Sequence, residues 1–400
     1  MNRRLQIRLS TLQFLQYFVW GSWFVTAGSY LLHTLDFSGR QVGFVYSTAA
    51  LSATVSPLIL GIVADRYFNI EKILFMLHLI GGCLLFFLST QTEFIWFYIT
   101  LMVYMLCYLP SFSLTNSLCF HHIDNPNTDF PKVRVWGTIA WIVAGGLVSY
   151  TSLELTKYPF LISSACSIVL AMYSLSLPKT PPSQDRSATF LEVFKQEEVR
   201  LLFKDKSLMI LVVSVAFICI PSSYYYSFTN AYLNEIGVPY PAAKMSIGQM
   251  TEIFAMLLLP YVFSNWKMKT IIWIGLFTWG IRYGFFIMGE EWGMYELIYL
   301  ALGFHGIAYI FSMLSAQIYL DSRVPTNLRA TMQGFFSFLT LGLFALIGAL
   351  IAGETVSFYS LGDGSHDWQS IWMIPFAVGM VVTLFFLIFF NPRKDKHFIR

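Results

Sequence analysis

The stretch GIVADRYFNIEK, residues 61–72, is a charged passage caught between two long apolar runs, 41–64 and 72–91. About 20 mostly apolar residues suffice to cross a hydrocarbon core of about 30 Å, so the passage reads as a loop joining two membrane spans. Working outward, the same alternation recurs along the chain, with apolar stretches at 11–33, 94–118, 134–152, 158–178, 208–232, 242–264, 270–289, 294–320, 328–353 and 369–391. That makes twelve, six on each side of one charged segment. The 400 residues are 56% hydrophobic and only 12% charged, against about 25% charged in an ordinary soluble domain. The expected fold is therefore an all-α membrane protein of twelve transmembrane helices in two six-helix bundles. Its parts are 1–178, a linker at 179–207, and 208–400.

Arg3, Arg4 and Arg8 precede the first apolar run as in a secretory leader, but the run is too long for one and lacks a small-residue cleavage site. It is read as the first span. Of the 25 Lys and Arg, all but Arg40, Lys157, Lys244 and Arg282 fall at the termini or in even-numbered loops. Basic residues mark the cytoplasmic side, so both termini are expected there. The segment 178–206 opens with prolines and then places Phe190, Val193, Phe194, Leu201 and Leu202 in an amphipathic pattern, which suggests a cytoplasmic linker carrying a surface helix. Pro57 and the loop after it are echoed by Pro260, Ser264, Lys267 and Lys269, a degenerate repeat. Repeated halves are how many transporters place a solute site at the bilayer midplane.

An ionisable side chain deep in a span costs about 2.5–3.5 kcal/mol on an insertion scale and is a functional candidate by default. Glu252 lies in SIGQMTEIFAMLLLPYV (246–262) with Gln249 three positions earlier, a spacing that puts both on one helix face. The pair can hydrogen-bond a polar solute, and the carboxyl can carry a proton; the plainer reading is a carboxyl tying two helices together. Arg134 opens span five in FPKVRVWGTIAW (130–141), with Thr138 one turn on and Trp141 next along the stripe. A planar guanidinium fork, a hydroxyl and an indole suit a solute with carbonyls and a flat ring, whereas Arg134 snorkelling to the interface is the competing reading.

His305 and Tyr309 sit four apart in span ten; the histidine can titrate near neutrality or simply pack. Arg282 in span nine either pairs with a carboxylate or reaches outward. Gln13, Gln16, Asn116, Tyr225, Tyr226, Asn230 and Gln317 are further polar positions, each read first as interhelical glue. Cys83, Cys107, Cys119, Cys166 and Cys219 all lie in or beside apolar runs and read as buried thiols. His121, His122, Asp124 and Asp129 share a short loop without metal-ligand spacing. Neither a phosphate loop nor a nucleophile elbow occurs, so no enzyme activity, cofactor or metal is expected.

The G-x-x-x-D-R pattern at Gly61, Asp65 and Arg66, placed after span two of twelve, resembles the loop motif of the major facilitator superfamily. The resemblance implies that Asp65 and Arg66 gate and brace the cytoplasmic face. Nearly the whole chain is also similar to the bacterial nucleoside:proton symporter family, through FLQYFVWGSWFVTAGSY (14–30), YLPSFSLTNS (108–117), DFPKVRVWGTIAW (129–141), SIGQMTEIF (246–254), LRATMQGF (328–335) and DWQSIWMI (367–374). It implies a nucleoside site lined by Arg134, Thr138, Trp141, Gln249 and Glu252, to which Tyr226, His305 and Tyr309 are added from their own positions. Glu252 and His305 are the proton-coupling candidates.

The family commonly carries an Asp four or five residues after the position of His305, where this chain has Tyr309 and Ile310; its usual span-seven polar residues give way to the run Ser222-Ser-Tyr-Tyr-Tyr226. The leading expectation is a monomeric proton-coupled nucleoside importer working by alternating access in a bacterial cytoplasmic membrane, with solute, protons and lipid as its partners and no nucleic acid. A symporter or facilitator for another small polar solute such as a sugar, and a non-transporting membrane sensor, are the alternatives.

Overall fold

The computed structural model describes residues 2–64, 68–181, 204–325, 328–362 and 364–391, with the backbone alone at 56–64, 126, 127, 330 and 331. Asp65 and Arg66, and the surface helix expected around 190–202, lie outside the described residues. The helices are α1 (Arg3–Gly21), α2 (Ala27–His33), α3 (Gly39–Ala64), α4 (Ile70–Leu88), α5 (Phe94–His122), α6 (Pro126–Tyr150) and α7 (Tyr158–Ser174). After the linker come α8 (Lys206–Glu235), α9 (Pro241–Asn265), α10 (Met268–Glu291), α11 (Tyr295–Tyr309), α12 (Ser315–Arg323), α13 (Arg329–Ser337), α14 (Ala345–Phe358) and α15 (Trp368–Phe389). π-helical segments at Ile310–Leu314 and Phe338–Phe344 join α11 to α12 and α13 to α14. Among the described residues, nine helical stretches are long and apolar enough to cross a membrane, and α7 is a shorter apolar one.

Span one is not the continuous helix its apolar run predicts. It breaks into a turn at 22–26, between α1 and α2. In a bilayer the freed backbone groups need protein partners, and the Tyr46 hydroxyl supplies them: it donates to the Phe24 carbonyl at 2.6 Å and accepts from the Gly28 amide at 3.0 Å. The break also lets α2 approach closely. A Cβ on Gly28 would lie 2.1 Å from the Ser227 carbonyl oxygen.

The start of span five is likewise earlier than its apolar run suggests. α6 begins at Pro126, a residue suited to a first helical turn, so Arg134 stands about two turns inside the helix rather than at its mouth. His121 and His122 end α5 instead of lying in a loop, and His122 Nε2 meets the Thr180 hydroxyl at 2.9 Å. All five cysteines are free; Cys119 and Cys219 are buried as expected, but Cys83 is exposed on α4 and Cys107 and Cys166 are half-buried.

The chain gathers into two compact units, Met1–Asp185 with Tyr226–Ser246, and Arg186–Tyr225 with Ile247–Arg400. The first unit takes in the end of α8 and the start of α9, and polar contacts accompany that grouping. Glu154, 4% exposed, accepts hydrogen bonds from Asn230 Nδ2 at 2.8 Å, Asn234 Nδ2 at 3.2 Å, the Ala242 amide at 3.0 Å and the Ser149 hydroxyl. The end of α8 and the start of α9 are thereby tied to the loop that follows α6. Within this unit Leu9, Leu12, Leu74, Leu118 and Leu170 form an apolar core. In the second unit Ala255, Leu259, Val262, Ile271, Ile310 and Phe311 form another.

Candidate functional site

In the first unit α1 and α6 pack side by side and present one aromatic tract. The guanidinium carbon of Arg134 lies 4.1 Å from the centroid of the Tyr17 ring, a cation–π contact. This geometry turns Arg134 onto α1 rather than outward along the helix. Tyr17 meets Phe112 edge-on at 4.9 Å, Trp20 meets Phe112 at 5.2 Å and Trp141 at 5.5 Å, and Phe24 lies 6.3 Å from both Trp141 and Tyr226. Arg134, Trp141 and Tyr226 are thus linked through Tyr17 and Trp20 of α1, Phe112 of α5 and Phe24 of the turn after α1, none of which the sequence singled out. Thr138 is half-buried one turn along α6 from Arg134.

Beneath the tract, Gln16 is fully buried and acts as helix glue. Its Nε2 donates to Ser111 Oγ at 2.6 Å, and its Oε1 pairs with His78 Nε2 at 2.9 Å. Gln13 does the same to Asn116 at 3.2 Å. His78 was not apparent as a polar partner because nothing in its own helix signals what faces it.

In the second unit the approach of α9 to α11 sets the arrangement. A Cβ on Gly306 would lie 2.2 Å from the Glu252 amide nitrogen, and one on Gly248 would lie 2.9 Å from His305 Cβ. Only glycine lets these backbones come so near, and the Gly306 amide donates to Thr251 Oγ1 at 3.2 Å. Gln249 and Glu252 are therefore carried on the turn of α9 that passes His305. Both are half-buried, and Gln249 Oε1 is a buried acceptor with no protein hydrogen bond. Tyr309 is 36% exposed and stacks on His305 at 6.2 Å.

Arg282 neither pairs with a carboxylate in the contacts described nor reaches outward. It is fully buried, its guanidinium carbon lies 3.8 Å from the Tyr225 ring centroid, and its Nη1 meets His305 Nδ1 at 3.2 Å. Tyr225 also stacks on His305 at 4.9 Å. Ile310, at the place where the resembling family carries an Asp, is fully buried in the apolar cluster with Leu259 and Ile271, and it begins the π-helical segment. π-Bulges often mark functional sites. Here the bulge shares its helix with His305.

Apolar spans that carry the buried Arg282, Gln16 and His305 and the half-buried Gln249 and Glu252 are those of a multi-pass membrane transporter. The sequence model of the family described as nucleoside H+ symporter matches residues 3–395, and the chain belongs to that family. It is 32% identical over 403 residues to the putative nucleoside transporter YegT of Escherichia coli (strain K12), covering 97% of this chain and 94% of that one. It is 32% identical over 410 residues to the xanthosine permease of the same organism, covering 98% of each. A crystal structure of the nucleoside transporter NupG superposes with a TM-score of 0.87 at 28% identity, covering 98% of this chain and 100% of that one. These relatives are transporters and not enzymes, and the fold is that of the major facilitator transporters.

Proposed function

We propose that the protein is a proton-coupled nucleoside importer of a bacterial inner membrane, with both termini cytoplasmic. Solute engages Arg134, Thr138, Trp141 and Tyr226, and Gln249 and Glu252, and is carried by alternating access. The observation that carries the reading is the Gln249–Glu252 pair, a carboxyl and an unsatisfied amide oxygen held half-buried on one face of α9 in a chain of the nucleoside H+ symporter family.

The chemistry follows from the donor set. An Arg fork and an amide recognise carbonyl and ring-nitrogen edges, and aromatic rings stack on a flat base. Glu252 binds a proton with the solute and gives it up on the other side. Each inward proton contributes about 2.3 kcal/mol per 100 mV of membrane potential. Asp65 and Arg66 are proposed to brace the cytoplasmic face, and the protein is proposed to act as a monomer.

A second reading is favoured by Ile310, whose apolar surroundings leave no carboxylate where the resembling family has one. Under it the protein is a symporter or facilitator for another small polar solute. Uptake of labelled uridine and adenosine into proteoliposomes, with and without an inward proton gradient, separates the two. Accumulation driven by the gradient supports nucleoside symport. Equilibration that ignores the gradient means a facilitator, and absence of nucleoside flux in folded protein moves the assignment to another solute.

A further inference from the structure

We infer that Arg282 is a positioning residue that locks His305 in its neutral Nε2–H tautomer, so that His305 serves as a hydrogen-bond donor and the coupled proton is held by Glu252. This rests on the proton-coupled reading above for its consequence, though not for its geometry.

Arg282 Nη1 meets His305 Nδ1 at 3.2 Å with both residues buried. A guanidinium is always charged and has only N–H donors. At this contact the hydrogen must belong to arginine, and the Nδ1 lone pair must accept it. A neutral imidazole with a bare Nδ1 carries its one hydrogen on Nε2. Protonating Nδ1 would set N–H against N–H and place two cations side by side in a water-poor interior, where like charges repel most strongly.

The surroundings hold the pair in that geometry. Tyr225 lies over the guanidinium and stacks on the imidazole at an interplanar angle of 20°, and the Trp279 ring meets the imidazole edge-on at 5.6 Å. Tyr309 stacks on it from its own helix, and Gly248 of α9 lies against its Cβ. The ionisable groups on the elements around the ring are thus Arg282 on α10, Tyr225 on α8, Tyr309 on α11 itself and Glu252, one turn beyond Gly248 on α9. Arg282 is the fixed charge that touches it. Any group that bonds Nε2 must be an acceptor, so His305 reads oxygen or bare nitrogen rather than N–H.

The test is nitrogen-15 NMR of the imidazoles in full-length protein labelled at histidine and held in nanodiscs, with His305 assigned by its disappearance in His305→Gln. Between about pH 5 and 8, where an unperturbed histidine titrates, His305 is expected to keep one bare and one protonated nitrogen without a shift. Arg282→Gln should release it, so that the bare-nitrogen signal is lost as the pH falls. Two protonated nitrogens in the unmodified protein at any pH in that window, or a hydrogen on Nδ1, would overturn the inference.

Transport gives an independent reading. His305→Gln keeps an N–H donor on a differently shaped side chain, so solute affinity should fall while the uptake that remains still follows the gradient; loss of the gradient dependence with exchange intact would make His305 the carrier and sink the inference. Should Arg282→Gln fail to fold, the spectrum of the unmodified protein still decides. A locked tautomer in a protein that moves no nucleoside would leave this geometry standing and defeat the transport reading alone.

Discussion

Glu154 and Asn230 stand 2.8 Å apart, carboxylate to amide, across 76 residues of sequence. The bond is the centre of a set, since Asn230 Oδ1 also accepts from Ser29 Oγ at 2.5 Å. Both residues are buried. Glu154→Ala would leave the Asn230 side-chain amide, the Ala242 backbone amide and the Ser149 hydroxyl without their acceptor. Unsatisfied buried donors cost about 1–3 kcal/mol each, so this variant should be less stable by at least about 2 kcal/mol. Glu154→Gln, which keeps one carbonyl oxygen, should lose less. Thermal unfolding in detergent checks the order, and equal stability of all three proteins would mean that the set is replaced by water.

Much of this molecule can be read from its sequence, and the exceptions share a cause. Apolar runs located the helices because membrane cost acts on each residue locally. The intramembrane Arg134, Gln249 and Glu252 could be picked out for the same reason. What could not be read is convergence. Glu154 looks like an ordinary acidic loop residue until Asn230, Asn234 and Ala242 arrive from the other half of the chain. Arg282 shows its cost in the sequence, but its partner His305 is 23 residues away, and nothing local selects a histidine over a carboxylate. The break at 22–26 was hidden because Tyr46, which satisfies it, sits in the next helix.

Tyr17 should matter to Arg134 through its ring and not its hydroxyl. A cation–π contact is worth about 0.5–1 kcal/mol when exposed and about 2 or more when desolvated. Tyr17→Phe should therefore bind solute as the unmodified protein does, while Tyr17→Ala should weaken binding by up to about tenfold, the equivalent of about 1.4 kcal/mol. Arg134→Ala should weaken it further without lowering the amount of folded protein in the membrane. Equilibrium binding of labelled nucleoside is the measurement; unchanged affinity in Arg134→Ala would return that residue to an interfacial role.

Gly306 and Gly303 lie on the same helix and should respond oppositely to alanine. At Gly306 the new methyl would meet the backbone of Thr251 and Glu252 at 2.2 Å, and backbone cannot step aside; at Gly303 it would meet only Ile247 and Thr251 methyl groups at 3.8 and 4.0 Å. Overpacking costs about 1–3 kcal/mol even where side chains can adjust. Gly306→Ala should fall in yield or melting temperature and in transport, and Gly303→Ala should match the unmodified protein in both. Size-exclusion profiles of the two variants, with melting curves, are sufficient to see the difference.

Glu252 is where binding and proton movement can be pulled apart. Glu252→Gln preserves the shape and the hydrogen-bonding capacity of the side chain but cannot take up a proton. If the carboxyl carries the coupled proton, the variant should lose gradient-driven accumulation entirely. It should still exchange external label for internal nucleoside, because exchange requires only that the loaded carrier turn over. Loss of both would point to a structural carboxyl holding α9 against α11, where the Gly306 amide and Thr251 already meet. Retention of uphill uptake would move the proton elsewhere. Since Ile310 is sealed in an apolar cluster and His305 accepts at Nδ1 from Arg282, neither offers a ready substitute in span ten. The pH dependence of accumulation should then follow one carboxyl, and its disappearance in Glu252→Gln assigns that carboxyl.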